Sequence, residues 1–299
     1  MRSARAGAPG WDITVPVGSR LPGVAMAAFS DHAEDPIDVE MVPHPAVALI
    51  IDLGDGSLVV ADGDGNQRRG GVVAGLAPRS ARGTGPAGGF DCLQIRLSPV
   101  IAHAVLGEHL TGQIIGLDDL WARGAVELRE RLRAAETWDE RFAIAETTLA
   151  RRIAAGRAVD PEVAHCWARM RRGRVRVDRL AADVGWSRKR LWSRFRSQLG
   201  LTPKHAARLI RFDDAAHRLA AGRGAAVVAA ESGYADQSHL HREVLAFADA
   251  TPAAVAAKPF LAIDDVAWPA TNRQASGVTV RAASPMPHPA SETQSFPDP

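Results

Sequence analysis

The chain has 299 residues and a formal charge of +2, long enough for two separately cored domains. Its two cysteines, Cys92 and Cys166, supply neither a disulfide framework nor a metal-ligand spacing, which fits a reducing cytoplasm. No run of about 18 apolar residues marks a membrane span, and Met1 to Gly10 lacks the apolar segment of a signal peptide.

Residues 1–10 are small and basic and are expected to be disordered. From Trp11 to about Leu97 short apolar runs cut by Gly, Pro and Asp predict strands. Val47–Leu53, the Gly54-Asp55-Gly56 turn and Leu58–Ala61 read as a hairpin. Val72–Leu76 and Phe90–Leu97 read as further strands, with the glycine-rich stretch Gly83–Gly89 between them as a loop. After Ser98 the period changes. Ser98 and Pro99 have the N-cap and first-turn chemistry of a helix to Leu110. Leu128 and Leu132, then Phe142, Ala145, Leu149 and Ile153, recur at helical spacing and predict a helical pair. Asp160-Pro161 restarts a helix past Gly156, so a boundary is expected near 155–160. The fold class is α+β: a β-rich domain with a helical pair over 11–156, an all-α domain over 157–262, and a Pro/Ser/Ala-rich disordered tail over 263–299.

The all-α part holds an internal repeat. Leu180, Ala181, Gly185, Trp186, Ser187, Leu191, Phe195, Gly200, Thr202 and Pro203 are echoed by Val228, Ala229, Gly233, Tyr234, Leu240, Val244, Asp249, Thr251 and Pro252. Each unit reads as a short helix, a glycine turn and a second helix, which bury their stripes by crossing. In the first unit Ser187 caps the second helix, Leu191 and Phe195 turn inward, and Arg188, Lys189, Trp192, Ser193 and Arg196 face out. In the second, Asp236 caps, Leu240 and Val244 turn inward, and Gln237, Ser238, His241 and Arg242 face out. Such cationic and amide-bearing faces suit the major groove. Charge agrees: residues 1–164 hold 16 basic and 22 acidic side chains, whereas residues 165–260 hold 18 and 8. A polyanion is the expected partner of the second part only. A long helix from Thr202-Pro203 to Gly222 would space the two readers for successive major-groove segments about 34 Å apart.

The segment Val177–Ala257 resembles the DNA-binding domain of AraC/XylS-type transcriptional regulators. The matching residues are Leu180-Ala181, Ser187, Leu191, Phe195, Gly200, Thr202-Pro203, Arg208, Arg211, Gly233-Tyr234, Asp236 to Leu240, Arg242 and Thr251-Pro252. The resemblance implies that Lys189, Trp192 and Ser193 read bases in the first unit, and that Gln237, Ser238, His241 and Arg242 read bases or grip phosphate in the second. It further implies that the N-terminal domain, compatible with a cupin-like fold, senses a small molecule or mediates self-association. Three positions depart from the pattern: Ser193 stands where the family has Arg, with Arg194 one place later; Val244 where it has an aromatic; Asp249 where it has Gly. The last two imply a slightly loosened second unit.

The expected partners are double-stranded DNA, RNA polymerase, a small-molecule effector and a second copy of the chain, in the cytoplasm, with no membrane, cofactor or metal. No enzyme is expected. The histidines of the N-terminal half, His32, His44, His103 and His109, lack paired metal-ligand spacing, and no Ser-His-Asp set or phosphate loop is visible. Cys92 reads as a buried small hydrophobe. The competing reading is a DNA-binding module fused to an enzyme or thiol sensor.

Overall fold

The apolar runs broken by glycine, proline and aspartate become strands. The computed structural model describes residues 2–5, 11–17, 21–31, 35–76, 79–87, 89–107, 112–173 and 175–268. Strands β1 (Arg2–Arg5), β2 (Asp12–Val15), β3 (Val24–Asp31), β4 (Ile37–Met41), β5 (Val47–Asp52), β6 (Val59–Ala61), β7 (Gln67–Arg69), β8 (Gly71–Ala74), β9 (Ala81–Gly85) and β10 (Phe90–Leu97) precede the first helix, and β11 (Ile114–Gly116) follows it. They build two sheets, ordered β1-β2-β3-β10-β5-β8-β11 and β4-β9-β6-β7, with antiparallel pairing throughout.

Strand alternation sorts the side chains of the larger sheet onto two faces. Leu93, Ile95 and Leu97 of β10 join Leu49 and Ile51 of β5 in a core shared with the helices. On the other face Cys92, Ile50 and Phe29 meet Ile37 and Val60 of the smaller sheet. Three expectations change here. Residues 2–5 form a strand paired with β2, not a loose end. The stretch beginning at Gly83 contributes to β9, because its glycines allow close pairing with β4 and β6. And β5 and β6 are not a hairpin. The Asp52 carboxylate accepts hydrogen bonds from the amides of Gly54 (2.8 Å) and Leu58 (3.1 Å), turning the chain so that it crosses from one sheet to the other.

Helix α1 (Pro99–Leu106) starts at Ser98, whose Oγ accepts from the Ile101 amide. After α2 (Leu117–Trp121), the expected helical pair is α3 (Arg123–Ala134) and α4 (Trp138–Ala155). A capping box of Thr137 and Glu140 opens α4, satisfying amides that a helix start otherwise leaves orphaned. Leu128, Leu132, Phe142, Ala145 and Leu149 are buried against the first core. Gly156 ends α4 against α1: a Cβ there would lie 1.9 Å from the Ala104 carbonyl oxygen, so a side chain is excluded.

The remaining helices are α5 (Pro161–Arg172), α6 (Val177–Asp183), α7 (Arg188–Leu199), α8 (Pro203–Ala220), α9 (Ala225–Ser232), α10 (Gln237–Ala248), α11 (Pro252–Ala256) and α12 (Pro259–Ala267). Helix α12 corrects the expectation of a disordered tail from residue 263. Ile263, Asp264, Ala267 and Trp268 are buried, because the few large apolar groups of this stretch fall on one face against the N-terminal sheets. The rest of that expectation, residues 269–299, lies outside the described residues.

Candidate nucleic-acid interface

Each repeat unit is a support helix crossed by a second helix, and the side chains that lock the crossing are the ones the repeat shares. Leu180 and Ala181 of α6 pack with Leu191, Phe195 and Leu199 of α7. Val228 and Ala229 of α9 pack with Leu240, Val244 and Phe247 of α10. Gly185 makes the first turn at φ 66, a left-handed value that a Cβ disfavours. Ser187 Oγ accepts from the Arg190 amide at 3.2 Å and Asp236 Oδ1 from the His239 amide at 2.6 Å. Both second helices are therefore capped at their N-termini, the end that carries the positive pole of the helix dipole.

With the apolar stripes spent on the crossings, the opposite faces meet solvent. Ser187, Arg188, Lys189, Trp192, Ser193 and Arg196 are all exposed, as are Gln237, Ser238, His241 and Arg242. Trp192 is 39% exposed, unusual for so large an apolar side chain on a helix that has a core to join. Among the described residues Lys189, Arg196 and Arg242 make no ion pair. Arg188 pairs with Asp178 of α6 at 3.0 Å, but both are exposed. An exposed pair contributes at most about 1 kcal/mol, so phosphate can take Arg188 from Asp178 at little cost.

The structure also explains the arginine that sits one place late. Arg194 donates from Nε and Nη2 to the two Asp160 carboxylate oxygens at 2.6 and 2.8 Å. Gln198 Oε1 accepts from the Asp160 amide. Arg194 thus ties α7 to the start of α5, and Ser193 holds the outward position. Asp160, at the N-cap of α5, makes no side-chain cap bond, because its carboxylate serves Arg194, whose hydrogen bonds hold the acid below its usual range.

The second helix is positioned by a residue the repeat does not share. Glu243 is 4% exposed and accepts from Arg208 Nε (3.1 Å), Arg211 Nε (3.2 Å) and Arg211 Nη2 (2.6 Å) of α8. Arg211 in turn lies over the Tyr234 ring at 4.6 Å. Position 243 falls on the inward stripe with 240 and 247, and a carboxylate at that spacing is the sequence signal for a cationic partner. Helix α8, capped by Thr202 Oγ1 on the His205 amide, spans 18 residues, about 27 Å at 1.5 Å per residue, and its buried face holds both units.

No metal-binding cluster of three or more His, Cys, Asp or Glu exists among the described residues. His32 and His109 lie outside them. Both thiols are buried; desolvation and nearby carboxylates push Cys92 up, and push Cys166 up to about 11, opposite to what a reactive thiolate needs. No helix among the described residues is long and apolar enough to cross a membrane.

Comparison with known proteins matches residues 180–258 to a family described as a helix-turn-helix domain. No curated protein matches. Among solved structures, ToxT from Vibrio cholerae O395 is similar at 10% identity, over 80% of this chain and 98% of ToxT, with a TM-score of 0.43. The AraC-like transcriptional activator CuxR is similar at 19% identity over 63% and 80%, TM-score 0.26. A cupin domain from Bordetella pertussis Tohama I is similar at 14% identity over 31% and 96%, TM-score 0.23. The two capped, outward-facing helices fall within the matched residues: residues 180–258 are a helix-turn-helix DNA-binding domain of the AraC type.

Proposed function

We propose that the chain is a sequence-specific transcriptional regulator that lays α7 and α10 into two successive major-groove segments of one duplex. The observation that carries this reading is the doubled arrangement itself: two capped helices whose buried stripes correspond and whose free faces both carry cations, amides and hydroxyls. Lys189, Trp192 and Ser193 are the base-reading side chains of α7, with Ser187, Arg188 and Arg196 on phosphate. Gln237, Ser238, His241 and Arg242 serve both purposes on α10. The N-terminal domain is read as a non-catalytic sensory unit that biases the reader helices. Support comes from α1, which follows β10 directly and packs on α7. RNA polymerase and a second copy of the chain are the proposed protein partners, in the cytoplasm.

Mobility-shift titration against a selected operator tests the reading. Trp192→Ala and Arg242→Ala should each weaken specific binding about 10-fold or more, since a good base contact contributes roughly 1–3 kcal/mol. Non-specific binding should change far less for Trp192→Ala. Undiminished selectivity in both variants would remove the assigned faces.

A further inference from the structure

The two reading helices repeat their burial as closely as their sequence. The outward positions 188, 189, 192, 193 and 196 of α7 correspond, 49 residues on, to 237, 238, 241, 242 and 245 of α10, and all ten are exposed. The geometry of the two faces is therefore shared, and their chemistry is not. Arg188, Lys189 and Arg196 give the first face three cations, whereas the matching places of the second hold Gln237, Ser238 and Leu245. Arg242 is the one arginine or lysine on that second face. Phosphate attraction, which scales with the number of such cations, is thus concentrated on α7.

Leu245 is the sharpest of these exchanges. It is 55% exposed and belongs to none of the apolar clusters among the described residues, although Val244 beside it is fully buried. With Gln237 and His241 it forms an i, i+4, i+8 row on one side of α10, so it extends the proposed reading face by one turn, about 12 Å along the axis from Gln237. A single exposed leucine is ordinary on a protein surface. This one stands where the first helix has a cation, on a face whose other members are polar. Against a phosphate an isobutyl group makes no hydrogen bond and takes water from the anion, which is unfavourable. Against the base edges of a major groove it has one apolar counterpart, the C5-methyl group of thymine.

We propose that Leu245 is a specificity-determining residue of the second reading helix, packing on a thymine methyl group in the half-site that α10 enters. This rests on the proposed seating of α10 in a major groove. The two helices then divide the work: α7 supplies most of the phosphate attraction, and α10 discriminates among base pairs, with Leu245 selecting thymine at the end of its face farther from the helix N-terminus.

Mobility-shift titration of the full chain tests this, on an operator selected from random duplexes in which each thymine of the half-site that depends on Arg242 is replaced in turn by deoxyuridine. That replacement removes the methyl group and leaves the pairing edge intact. At one position the wild-type chain should lose about 4-fold in affinity, the transfer value of one buried methyl, and Leu245→Ala should bind the thymine and uracil operators equally. Leu245→Arg should lose the thymine preference, bind non-specific DNA more tightly, and steepen the plot of log affinity against log salt by about 0.9. The side chain is exposed, so all three chains should melt alike. The proposal is overturned if the selected half-site lacks thymine, if uracil is harmless to wild type at every position, or if Leu245→Ala keeps the full methyl penalty. Should Arg242→Ala still weaken that half-site in those cases, the seating of α10 stands and the role of Leu245 alone is lost. If neither Arg242→Ala nor scrambling one half of the operator changes affinity, α10 is not a reader and the proposal falls with it.

Discussion

Asp249 follows α10 with φ 48 and ψ 34, in the left-handed region, where a residue with a Cβ is strained and glycine is not. The repeat has Gly200 at the equivalent position, φ 76, so the backbone geometry is common to both units and only the side chain differs. Aspartate tolerates this region better than most residues, which limits the strain to a fraction of the usual left-handed cost. Asp249→Gly should therefore stabilise the reader domain by about 0.5–1 kcal/mol, the relief being partly offset by the freer unfolded chain. A rise in melting temperature of a few degrees, with operator affinity unchanged, is the expected outcome; a fall would mean that the Asp249 side chain contributes something its backbone does not reveal. Val244, by contrast, is fully buried against Phe247 and its neighbours. The smaller side chain is packed, so the loosening expected of the second unit finds no support at Val244.

At the scale of elements, the orientation of α10 depends on Glu243, which bridges two arginines of α8. Glu243→Gln removes the charge that both arginines share and leaves them partly buried and uncompensated. A hydrogen bond to a charged group contributes roughly 1.5–3 kcal/mol, less here because Arg208 and Arg211 remain 36% and 27% exposed. We expect a loss of about 1–2 kcal/mol in unfolding experiments and a loss of affinity confined to one half of the operator. Footprinting on operators with either half scrambled checks this: equal weakening at both halves would show that α8 rather than α10 had moved. Helix crossings of this kind were legible in the sequence because local rules make them. A cap, a glycine turn and a stripe at i, i+4 and i+8 are written within about 20 residues, and Leu191, Phe195, Leu240 and Val244 all take the inward places those rules assign. Pairing among the strands was less so. Gly83 in β9 and the crossing of Asp52–Leu58 between sheets depend on partners distant in the chain, which local periodicity does not record.

The molecule as a whole is joined by charges that no local rule could pair. Arg96, His217 and Asp264 come from a strand, the spacer helix and the final helix, and their residue types alone gave no sign of a shared site. Around His217 the groups that face it are Asp213 on its own helix, Asp264 and Asp265 on α12, and Arg96, Arg171 and His44 nearby. Burial by itself would lower the His217 pKa. The Asp264 carboxylate at 2.9 Å from Nε2, the Asp213 charge and the Asp213 carbonyl at 2.8 Å from Nδ1 outweigh it and raise the pKa to about 9. Both ring nitrogens then donate, and His217 is an imidazolium at neutral pH. Because the folded value lies above the ordinary 6.5, this contribution is fully present below about pH 6.5 and is lost as pH rises through about 9. Between those limits the wild-type melting temperature should fall, by about 4–8 °C if the loss is on the order of 2 kcal/mol. His217→Gln keeps a neutral hydrogen-bonding side chain and should be less stable than wild type near pH 6.5 but nearly flat from pH 6.5 to 9, so that the two melting curves converge on the alkaline side. A variant whose melting temperature fell in parallel with wild type would assign the pH dependence to other groups and leave His217 neutral in the folded chain. Convergence would show that the contact between α8 and α12 is held by a proton on His217.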